Sequence, residues 1–338
     1  MNTNRDNRNK SNKNNIKNIM DELDIIKTIF SNIKYTGNAV KSIGDDCAVF
    51  KLGNQYLTIT TDMMFKSTHF PEILTPFQIG MRVITANVSD IAAMCAKPLG
   101  IVVSMGFDYP KKAFIEELIR GMDFIAKEYE CPIVGGDTNK SKELTLCGTA
   151  FGITDNPVYR ENGEIGDDIV ITNNIGRVYC GFKILEMKNK GIINKNTFKN
   201  LLNEYPSIVK KLTEPKARVK EGVAINKYIT SCCDISDGLG KDLKYMGNFE
   251  ISSKKLLNAV PKDVVEFCTK FDLNPVDVAL NSGEEWELLF TTKRYNNVEE
   301  ELSKLGTKSI KIGKIIDNGC YIDGNTFKFG GYVHRWSK

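Results

Sequence analysis

Carboxylate side chains lie beside apolar, strand-like runs of this chain, where a folded protein normally buries apolar groups. In the run at residues 55–60, polar and apolar side chains alternate, which predicts a β-strand with one apolar wall. We expect the end of this strand to present three oxygen-bearing residues, Thr60, Thr61 and Asp62. A preceding turn carries two more carboxylates, Asp45 and Asp46. Carboxylates gathered in one cleft repel one another, so a bound cation is the simplest way for them to coexist.

The next segment predicts a helix that carries polar groups in its buried stripe. Its start is marked by an N-cap, a proline at the first helical position and a capping-box glutamine, at Thr75, Pro76 and Gln78. The inner stripe then contains Val83, Asn87, Asp90 and Met94. Asn87 and Asp90 would be unfavourable there without a metal or a network of hydrogen-bond donors. The alternative is a rotated helix with a solvated Asp90, although the apolar residues around it argue against a wet face.

Three later segments add oxygen ligands. A predicted strand leads into a glycine turn at residues 135–138 that contains Gly136 and Asp137, and glycines let the backbone approach a bulky anion. Asp234 and Asp237 follow another strand, just before an expected helix whose amino terminus would attract phosphate. Glu284 precedes a strand predicted at residues 287–292. Asp45 is expected to cap its own turn rather than bind metal.

Composition narrows the function. The 46 Lys and Arg residues against 42 Asp and Glu give a net charge of +4, too mild to indicate nucleic-acid binding. No apolar run approaches the ~20 residues of a membrane span. Nine cysteines without a C-x-x-C pair predict reduced thiols and a cytoplasmic location. No cysteine or histidine is grouped with the acids, so the oxygen ligands favour Mg²⁺ shared with substrate phosphates over zinc or iron.

The length of 338 residues suits two domains of the α/β (α+β) class. Residues 1–18 are mainly Asn, Lys, Arg, Ser and Thr, which predicts a disordered tail. We place an amino-terminal domain at residues 19–155, a linker at 156–165 and a carboxy-terminal domain at 166–338. The phosphate-binding loops of P-loop enzymes, protein kinases and dinucleotide folds are absent from the sequence, so a metal-nucleotide site of another design is expected.

Six motifs occur in a recognisable order: IGDDCAVF, TTDMMFKSTHF, ANVSDIAAMCAKP, IVGGDTNKS, DISDGLGKDL and GEEWELLFT. In order and spacing they resemble the thiamine-monophosphate kinase family, part of the ATP-binding superfamily of aminoimidazole ribonucleotide synthetase. The resemblance extends from about residue 23 to residue 334. It implies ATP-dependent phosphorylation of thiamine monophosphate to thiamine diphosphate. It also implies a homodimer formed by an amino-terminal mixed sheet, with an α/β domain following.

The resemblance also implies roles for individual residues. The Mg²⁺ ligands would be Asp46, Thr60, Thr61, Asp62, Asp90, Asp137, Asp234 and Asp237. ATP would contact Gly136, Asp137, Arg160 and Ser236. Thiamine monophosphate would contact His69, Glu284 and a carboxy-terminal aromatic residue, Tyr332. The metal ions would assist direct in-line transfer, without a protein nucleophile.

Two departures from the family pattern fall on the acceptor side. The family's G-G-E-D-Y-E-L is here Ser282-Gly283-Glu284-Glu285-Trp286-Glu287-Leu288, which keeps the acid and an aromatic residue. The family's ending near G-Y-D-H-F is here G-Y-V-H-R-W, which leaves both Tyr332 and Trp336 as aromatic candidates. Alternative functions are a sister synthetase that activates a substrate oxygen with ATP and a non-catalytic ATP-binding regulator. Without the family motif, a structural role for His69 would be about as plausible as a functional one, and Arg160 would usually be a solvated arginine.

Overall fold

The computed structural model describes residues 22–330. The expected tail at residues 1–18 and the candidate aromatic residues Tyr332 and Trp336 lie outside them. Residues 22–37 belong to one compact unit and residues 38–330 to another. Helix α1 (Glu22–Asn32) forms in the first unit, as its apolar spacing predicts, and none of its residues is buried. Within residues 22–330, no helix is long and apolar enough to cross a membrane.

Two sheets organise the second unit. The strands of the first sheet are β1 (Ala39–Lys41), β2 (Ala48–Leu52), β3 (Gln55–Phe65), β4 (Lys97–Phe107), β5 (Ile133–Lys140) and β6 (Thr145–Thr154). They lie in the order β1-β2-β3-β6-β4-β5, and only the β4–β5 pair is parallel. The expected mixed amino-terminal sheet is therefore confirmed.

The second sheet contains the later strands. These are β7 (Asp168–Thr172), β8 (Ser231–Asp234), β9 (Phe249–Ile251), β10 (Leu288–Thr292), β11 (Ser309–Ile315), β12 (Cys320–Ile322) and β13 (Asn325–Thr326). They lie in the order β13-β12-β9-β11-β7-β10-β8. Each sheet takes its strands from one half of the chain, while the two-domain division at residues 156–165 stays a prediction.

Helices cover these sheets. They are α2 (Lys66–His69), α3 (Pro76–Ala93), α4 (Lys112–Glu128), α5 (Arg177–Asn189), α6 (Lys195–Glu204), α7 (Pro206–Thr213), α8 (Val219–Ile225), α9 (Leu239–Asp242), α10 (Ser253–Leu256), α11 (Lys262–Lys270), α12 (Pro275–Leu280) and α13 (Tyr295–Lys304). Helix α3 begins with the predicted capping box, in which Thr75 and Gln78 each accept a hydrogen bond from the other's backbone N–H. All nine cysteines are free, as the sequence predicts.

Helix α3 is the central element, because strands of both sheets pack against it. It packs on β3 and β6 on one side and on α8 and β8 on the other. Two glycines permit its close crossing with α4: a Cβ at Gly80 would lie 2.1 Å from the Leu118 oxygen, and one at Gly121 would lie 1.8 Å from the Phe77 oxygen. The helix is thus nearly enclosed, and its polar side chains must find partners in neighbouring elements.

Three boundaries differ from the sequence predictions. Strand β3 continues to Phe65, so Thr60, Thr61 and Asp62 lie inside the strand rather than at its end, because pairing with β6 continues as far as Thr145. Strand β4 begins at Lys97, although the apolar run that predicts a strand here begins only at Ile101. The expected glycine turn at residues 135–138 is extended strand within β5, paired in parallel with β4. Gly136 is needed there because a Cβ would lie 2.0 Å from the Val103 oxygen.

Candidate functional site

Strand β3 and helix α3 bring the first acidic residues together. Thr60 Oγ1 donates a hydrogen bond of 2.5 Å to Asp90 Oδ2. The Asp62 backbone N–H donates to Asn87 Oδ1 at 2.9 Å, and Asn87 Nδ2 donates to the Val83 oxygen at 2.8 Å. The two polar residues of the helix stripe are therefore hydrogen-bonded, and the alternative of a solvent-facing Asp90 is wrong.

The turn before β2 adds Asp46 beside an arginine. Asp46 Oδ1 lies 3.7 Å from Arg160 Nη1, and the Arg160 guanidinium stacks over the Tyr245 ring at 3.6 Å from its centroid. Asp46 Oδ2 is buried and has no hydrogen-bond partner among residues 22–330. Asp45 Oδ1 accepts a hydrogen bond from the Asp46 N–H at 3.0 Å, which is the turn-capping role expected for Asp45.

The end of β8 completes this group. Asp234 Oδ2 accepts a hydrogen bond of 2.5 Å from Ser89 Oγ on helix α3. The pKa of Asp234 is raised to about 7, chiefly by burial; the charges of Asp62 and Asp237 also raise it, and the hydrogen bonds from Ser89 and Ser236 lower it. Asp237 Oδ2 forms an ion pair with Lys241 at 2.6 Å.

Electrostatic interactions join these carboxylates into one group, which we call the acidic cluster: Asp46, Asp62, Asp90, Asp234 and Asp237. Burial raises the pKa of Asp46, with further increases from Asp234, Asp45 and Asp62. Burial likewise raises the pKa of Asp90, and nearby Asp62 adds to the effect. The pKa of Asp62 is raised by burial and then by Asp237. These are the shifts expected when negative charges are held together away from water.

Asp242 is a neighbour of the acidic cluster that the sequence analysis did not assign. It lies at the end of α9 and is buried, and in the part of the chain that the structure describes its Oδ2 has no hydrogen-bond partner. Burial raises its pKa, as do the charges of Asp237, Asp234 and Asp46. The signal was present as the last acid of DISDGLGKDL, five residues after Asp237 on a helix too short to be predicted from periodicity.

The donor atoms of the acidic cluster fit a hard divalent cation. All are carboxylate oxygens, and Oδ2 of Asp46, like Oδ2 of the neighbouring Asp242, is a buried acceptor without a partner among the described residues that a cation would satisfy. Within residues 22–330, however, no three His, Cys, Asp or Glu side chains are already close enough to hold a metal ion on their own. A cation here would need additional oxygens, such as those of a phosphate ligand.

Two residues assigned to metal binding lie apart from the acidic cluster. The Thr61 side chain is exposed on the opposite face of β3, where its hydroxyl donates to the Gly148 oxygen at 2.8 Å. Asp137 lies on β5. The register from Asp62 through Gly148 and Val103 to Gly136 separates β3 from β5 by three strand spacings. At ~4.8 Å per spacing, this is roughly 14 Å.

Gly136 and Asp137 line a cleft of about 520 Å³ between β5 and α4. Its walls are apolar at Val103, Met105 and Met122, with Arg120 and Asp123 as charged groups at the helix. A concave, largely apolar space with a few charged side chains is typical of a small-molecule site. Gly136 and Asp137 thus lie at a different place from the carboxylates with which the sequence grouped them.

The acceptor-side candidates are placed as follows. His69 is in α2, and its Nδ1 accepts a hydrogen bond of 3.0 Å from the Phe65 N–H. The Glu284 N–H donates to the Ser236 oxygen at 2.7 Å. A Cβ at Gly283 would lie 2.7 Å from the same oxygen, so the Glu284 loop packs closely on the turn that carries Ser236. The Glu284 side chain pairs with Arg82, which the sequence analysis did not identify.

Comparisons with known proteins identify the family that the motifs of the sequence resemble. Residues 44–154 match the family model of the AIR synthase related protein, N-terminal domain. The chain is 53% identical to the thiamine-monophosphate kinase of Methanocaldococcus jannaschii over 94% of this chain and 100% of that protein. It is 33% identical to the thiamine-monophosphate kinase of Pyrococcus abyssi, over 83% of this chain and 85% of that protein.

A solved structure extends the likeness to three dimensions. The structure of AaThiL complexed with AMPPCP and TMP superposes with a TM-score of 0.80 at 25% identity, over 93% of this chain and 97% of that one. Both the sequence match and the structural match extend along almost the whole length of these two proteins, the Methanocaldococcus jannaschii kinase and AaThiL. The chain therefore belongs to the thiamine-monophosphate kinase family.

Proposed function

We propose that this protein transfers the γ-phosphoryl group of ATP to thiamine monophosphate, giving thiamine diphosphate and ADP. The observation that carries the proposal is the acidic cluster at the junction of β3, α3 and β8, in a chain 53% identical to a thiamine-monophosphate kinase. An ATP analogue and TMP are named in a solved structure of the same fold.

The chain's own residues support binding and orientation of phosphates. Asp46, Asp62, Asp90, Asp234 and Asp237 would hold Mg²⁺, which would neutralise the phosphate charge that develops during transfer. Asp242 adds a buried acceptor beside them. Arg160, stacked on Tyr245 and beside Asp46, would contact a phosphate of ATP, together with Ser236. The cleft lined by Gly136 and Asp137 is the candidate site for the rest of the nucleotide.

The acceptor would be held by His69 and Glu284. Its phosphate oxygen is already largely ionised near neutral pH, because its second pKa is about 6, so no strong general base is required. We therefore propose direct transfer without a phosphorylated protein intermediate. We also propose that the protein is cytoplasmic and works as a homodimer, with neither nucleic acid nor membrane as a partner.

One experiment decides the reaction. The purified protein is incubated with ATP and Mg²⁺, with or without thiamine monophosphate, and the products are identified by mass. Thiamine diphosphate and an equal amount of ADP are expected only when both substrates and Mg²⁺ are present. ADP release that is unchanged by thiamine monophosphate, without a diphosphate product, would instead favour a synthetase, and the absence of both ADP and product would favour a non-catalytic regulator. Omitting Mg²⁺ while adding a chelator serves as the control for the metal.

A second experiment concerns the path of the phosphoryl group. After reaction with γ-labelled ATP, acid-denatured protein should carry no label that tracks turnover. Label retained in proportion to turnover would show a phosphoenzyme and contradict direct transfer.

His69→Asn should raise the KM for thiamine monophosphate more than the KM for ATP, because His69 is proposed to hold the acceptor phosphate.

A further inference from the structure

Arg82 is a fully buried arginine in the middle of helix α3. Its side chain is 0% exposed, and its Nη2 forms an ion pair with Glu284 Oε2. Its Nη1 donates to the Leu212 oxygen at 3.0 Å, near the carboxyl end of α7. The guanidinium also lies over the Trp286 ring, 5.0 Å from the centroid. One side chain thus connects the central helix to α7 and to the loop that carries Glu284.

A fully buried arginine is unfavourable unless it has a specific role. Burial lowers the pKa of the Arg82 guanidinium and Glu284 opposes that change. No described residue forms a hydrogen bond with the Arg82 Nε atom. Buried ion pairs seldom stabilise a fold more than apolar residues of the same size, because both charges lose their hydration. The Arg82–Glu284 pair is therefore better explained by the need to fix the position of a charge than by a gain in the stability of the core.

The loop held by Arg82 is conformationally strained. Glu284 and Trp286 adopt left-handed φ values of 53° and 49°, which are uncommon for residues other than glycine. Such conformations persist only where the surroundings fix them, and they concentrate at functional sites. The neighbouring Glu285 is fixed too, because its Oε1 accepts hydrogen bonds from the Gly176 N–H at 2.7 Å and from Ser282 Oγ at 2.6 Å. The loop is thus rigid on both sides of Glu284.

Glu284 differs from its neighbours in exposure. Its side chain is 22% exposed, whereas the side chains of Glu285 and Glu287 are 0% and 1% exposed. Of these three acids, Glu284 is therefore the one that a bound molecule can reach. Arg82 is completely enclosed and cannot touch a ligand itself.

We propose that Arg82 is a positioning residue that holds the Glu284 carboxylate in the orientation needed to bind the acceptor substrate. This inference rests on the proposed function and deepens it on the acceptor side. Arg82 acts only through Glu284, with Trp286 and the Leu212 carbonyl fixing the guanidinium plane. A single carboxylate oxygen is used by Arg82, which leaves Glu284 Oε1 for a donor or cationic group of the acceptor.

The test is a set of kinetic measurements on Arg82→Met, Arg82→Lys, Glu284→Gln and the Arg82→Met/Glu284→Gln double variant. Arg82→Met should raise the KM for thiamine monophosphate at least tenfold and change the KM for ATP less than twofold. Arg82→Lys keeps the charge and should lie between Arg82→Met and the original protein. In the Glu284→Gln background, Arg82→Met should change the acceptor KM less than twofold, since the group it positions is already altered. Equal increases in both KM values, or independent effects that multiply, would overturn the proposal.

Lys270→Met is the control, because Lys270 also pairs with a carboxylate, Glu204, through bonds of 2.7 Å to both of its oxygens, and neither residue belongs to the Glu284 loop. It should leave the ratio of the two KM values unchanged, and a shift equal to that of Arg82→Met would overturn the proposal.

Melting temperatures of the four Arg82 and Glu284 variants test the Arg82–Glu284 ion pair without measuring turnover. Each single variant should lower the melting temperature, and the double variant should lower it less than the sum, because it leaves no unpaired buried charge. Additive decreases would show that Arg82 does not hold Glu284. If the unaltered protein makes no thiamine diphosphate, the proposed function and the acceptor role are both wrong. The melting temperatures would still decide whether Arg82 holds Glu284.

Discussion

Asp234 shows at the scale of single residues how this protein holds several acids together. Its carboxylate lies at the end of a buried strand, accepts a hydrogen bond from Ser89 of the central helix, and has a pKa raised to about 7, with burial as the largest cause. Asp62 and Asp90 experience the same combination of burial and like charge. The acids are therefore destabilising as long as no cation accompanies them, and they are useful only when one does.

Removing one of these charges should separate function from stability. We expect Asp62→Asn and Asp90→Asn each to reduce turnover at least about a hundredfold, because each removes a proposed metal ligand. Melting temperature without metal should hold or rise, since each change relieves repulsion. Thermal scans in chelator and steady-state rates measure both effects. Asp155→Asn, at an exposed acid that accepts a hydrogen bond from Gln55, is the control and should change neither; unfolding of the Asp62 or Asp90 variant would mark a structural acid.

The raised pKa values also predict a direction for pH dependence. An acid whose folded pKa exceeds its unfolded value of about 4 contributes stability that is present below pH 4 and is lost as pH rises through the folded pKa. For Asp234 that value is about 7. Urea midpoints in chelator should therefore fall between pH 5 and pH 8, and Mg²⁺ should raise the midpoint more at pH 8 than at pH 5. Asp90→Asn should show a smaller fall, and an equal fall in that variant would contradict the explanation.

Residue identity was the most predictable part of the site. Asp46, Asp62, Asp90 and Asp234 stood out in the sequence because acids beside apolar runs are costly, and the structure places them together. Arg82 was not found, because an arginine one position from the apolar stripe of a helix resembles a solvated one. Only the packing of α3 between two sheets shows that its position is buried.

At the scale of elements, strand β10 is fixed by charge as well as by its ladder. Glu287, just before the strand, pairs with Lys211 of α7 at 2.7 Å and with Arg218 before α8 at 2.6 Å, and accepts a hydrogen bond from Thr172 of β7. Burial alone would raise the pKa of Glu287, but Arg218 and Lys211 outweigh it and lower the value to about 2. Three elements thus meet at one ionised, buried carboxylate.

Glu287→Gln should destabilise the protein by about 3–5 kcal/mol at pH 7, because it leaves two cations without their shared anion. A depressed folded pKa contributes stability that is present above the unfolded value, about 4.3, and is lost as pH falls toward 2. The difference between variant and original in urea denaturation should therefore shrink below pH 4. Glu300→Gln, at an exposed helix acid paired with Lys304, should leave the midpoint unchanged. A difference that stays constant down to pH 2 would show that the charge is not what stabilises the site.

Element boundaries were predictable where the local signal and the tertiary contacts agree. The capping box of α3 is such a case. The glycines of residues 135–136 were assigned to a turn because glycine favours turns, yet pairing with β4 keeps this segment extended and needs a glycine at 136 for close approach. A strand that depends on a neighbour distant in sequence cannot be identified from its own residues.

At the scale of the whole molecule, the first sheet is covered by helices on one side. Side chains of β6 alternate between buried and partly exposed, and the buried face, at positions such as Leu146 and Ala150, is the one toward α3. On the other face Met63 is 54% exposed, and edge strand β5 is exposed throughout, with Val134 at 57%. The strand order that produces this open face could not be predicted, because it depends on contacts between strands far apart in the chain.

An open, partly apolar sheet face and an exposed edge strand are surfaces that a second copy of the chain would cover. We therefore expect a dimer at micromolar concentration, with twice the chain mass in light scattering. Val134→Glu should shift this equilibrium toward monomer, because it places a charge on the exposed edge strand that would have to be buried without a partner. Val265→Glu, at an exposed valine of α11 remote in sequence from the first sheet, is the control and should leave the mass unchanged. A monomeric mass for the original protein would contradict the dimer. An unchanged dimer in Val134→Glu would instead exclude β5 from the interface, since a buried glutamate without a partner would weaken association at least about tenfold.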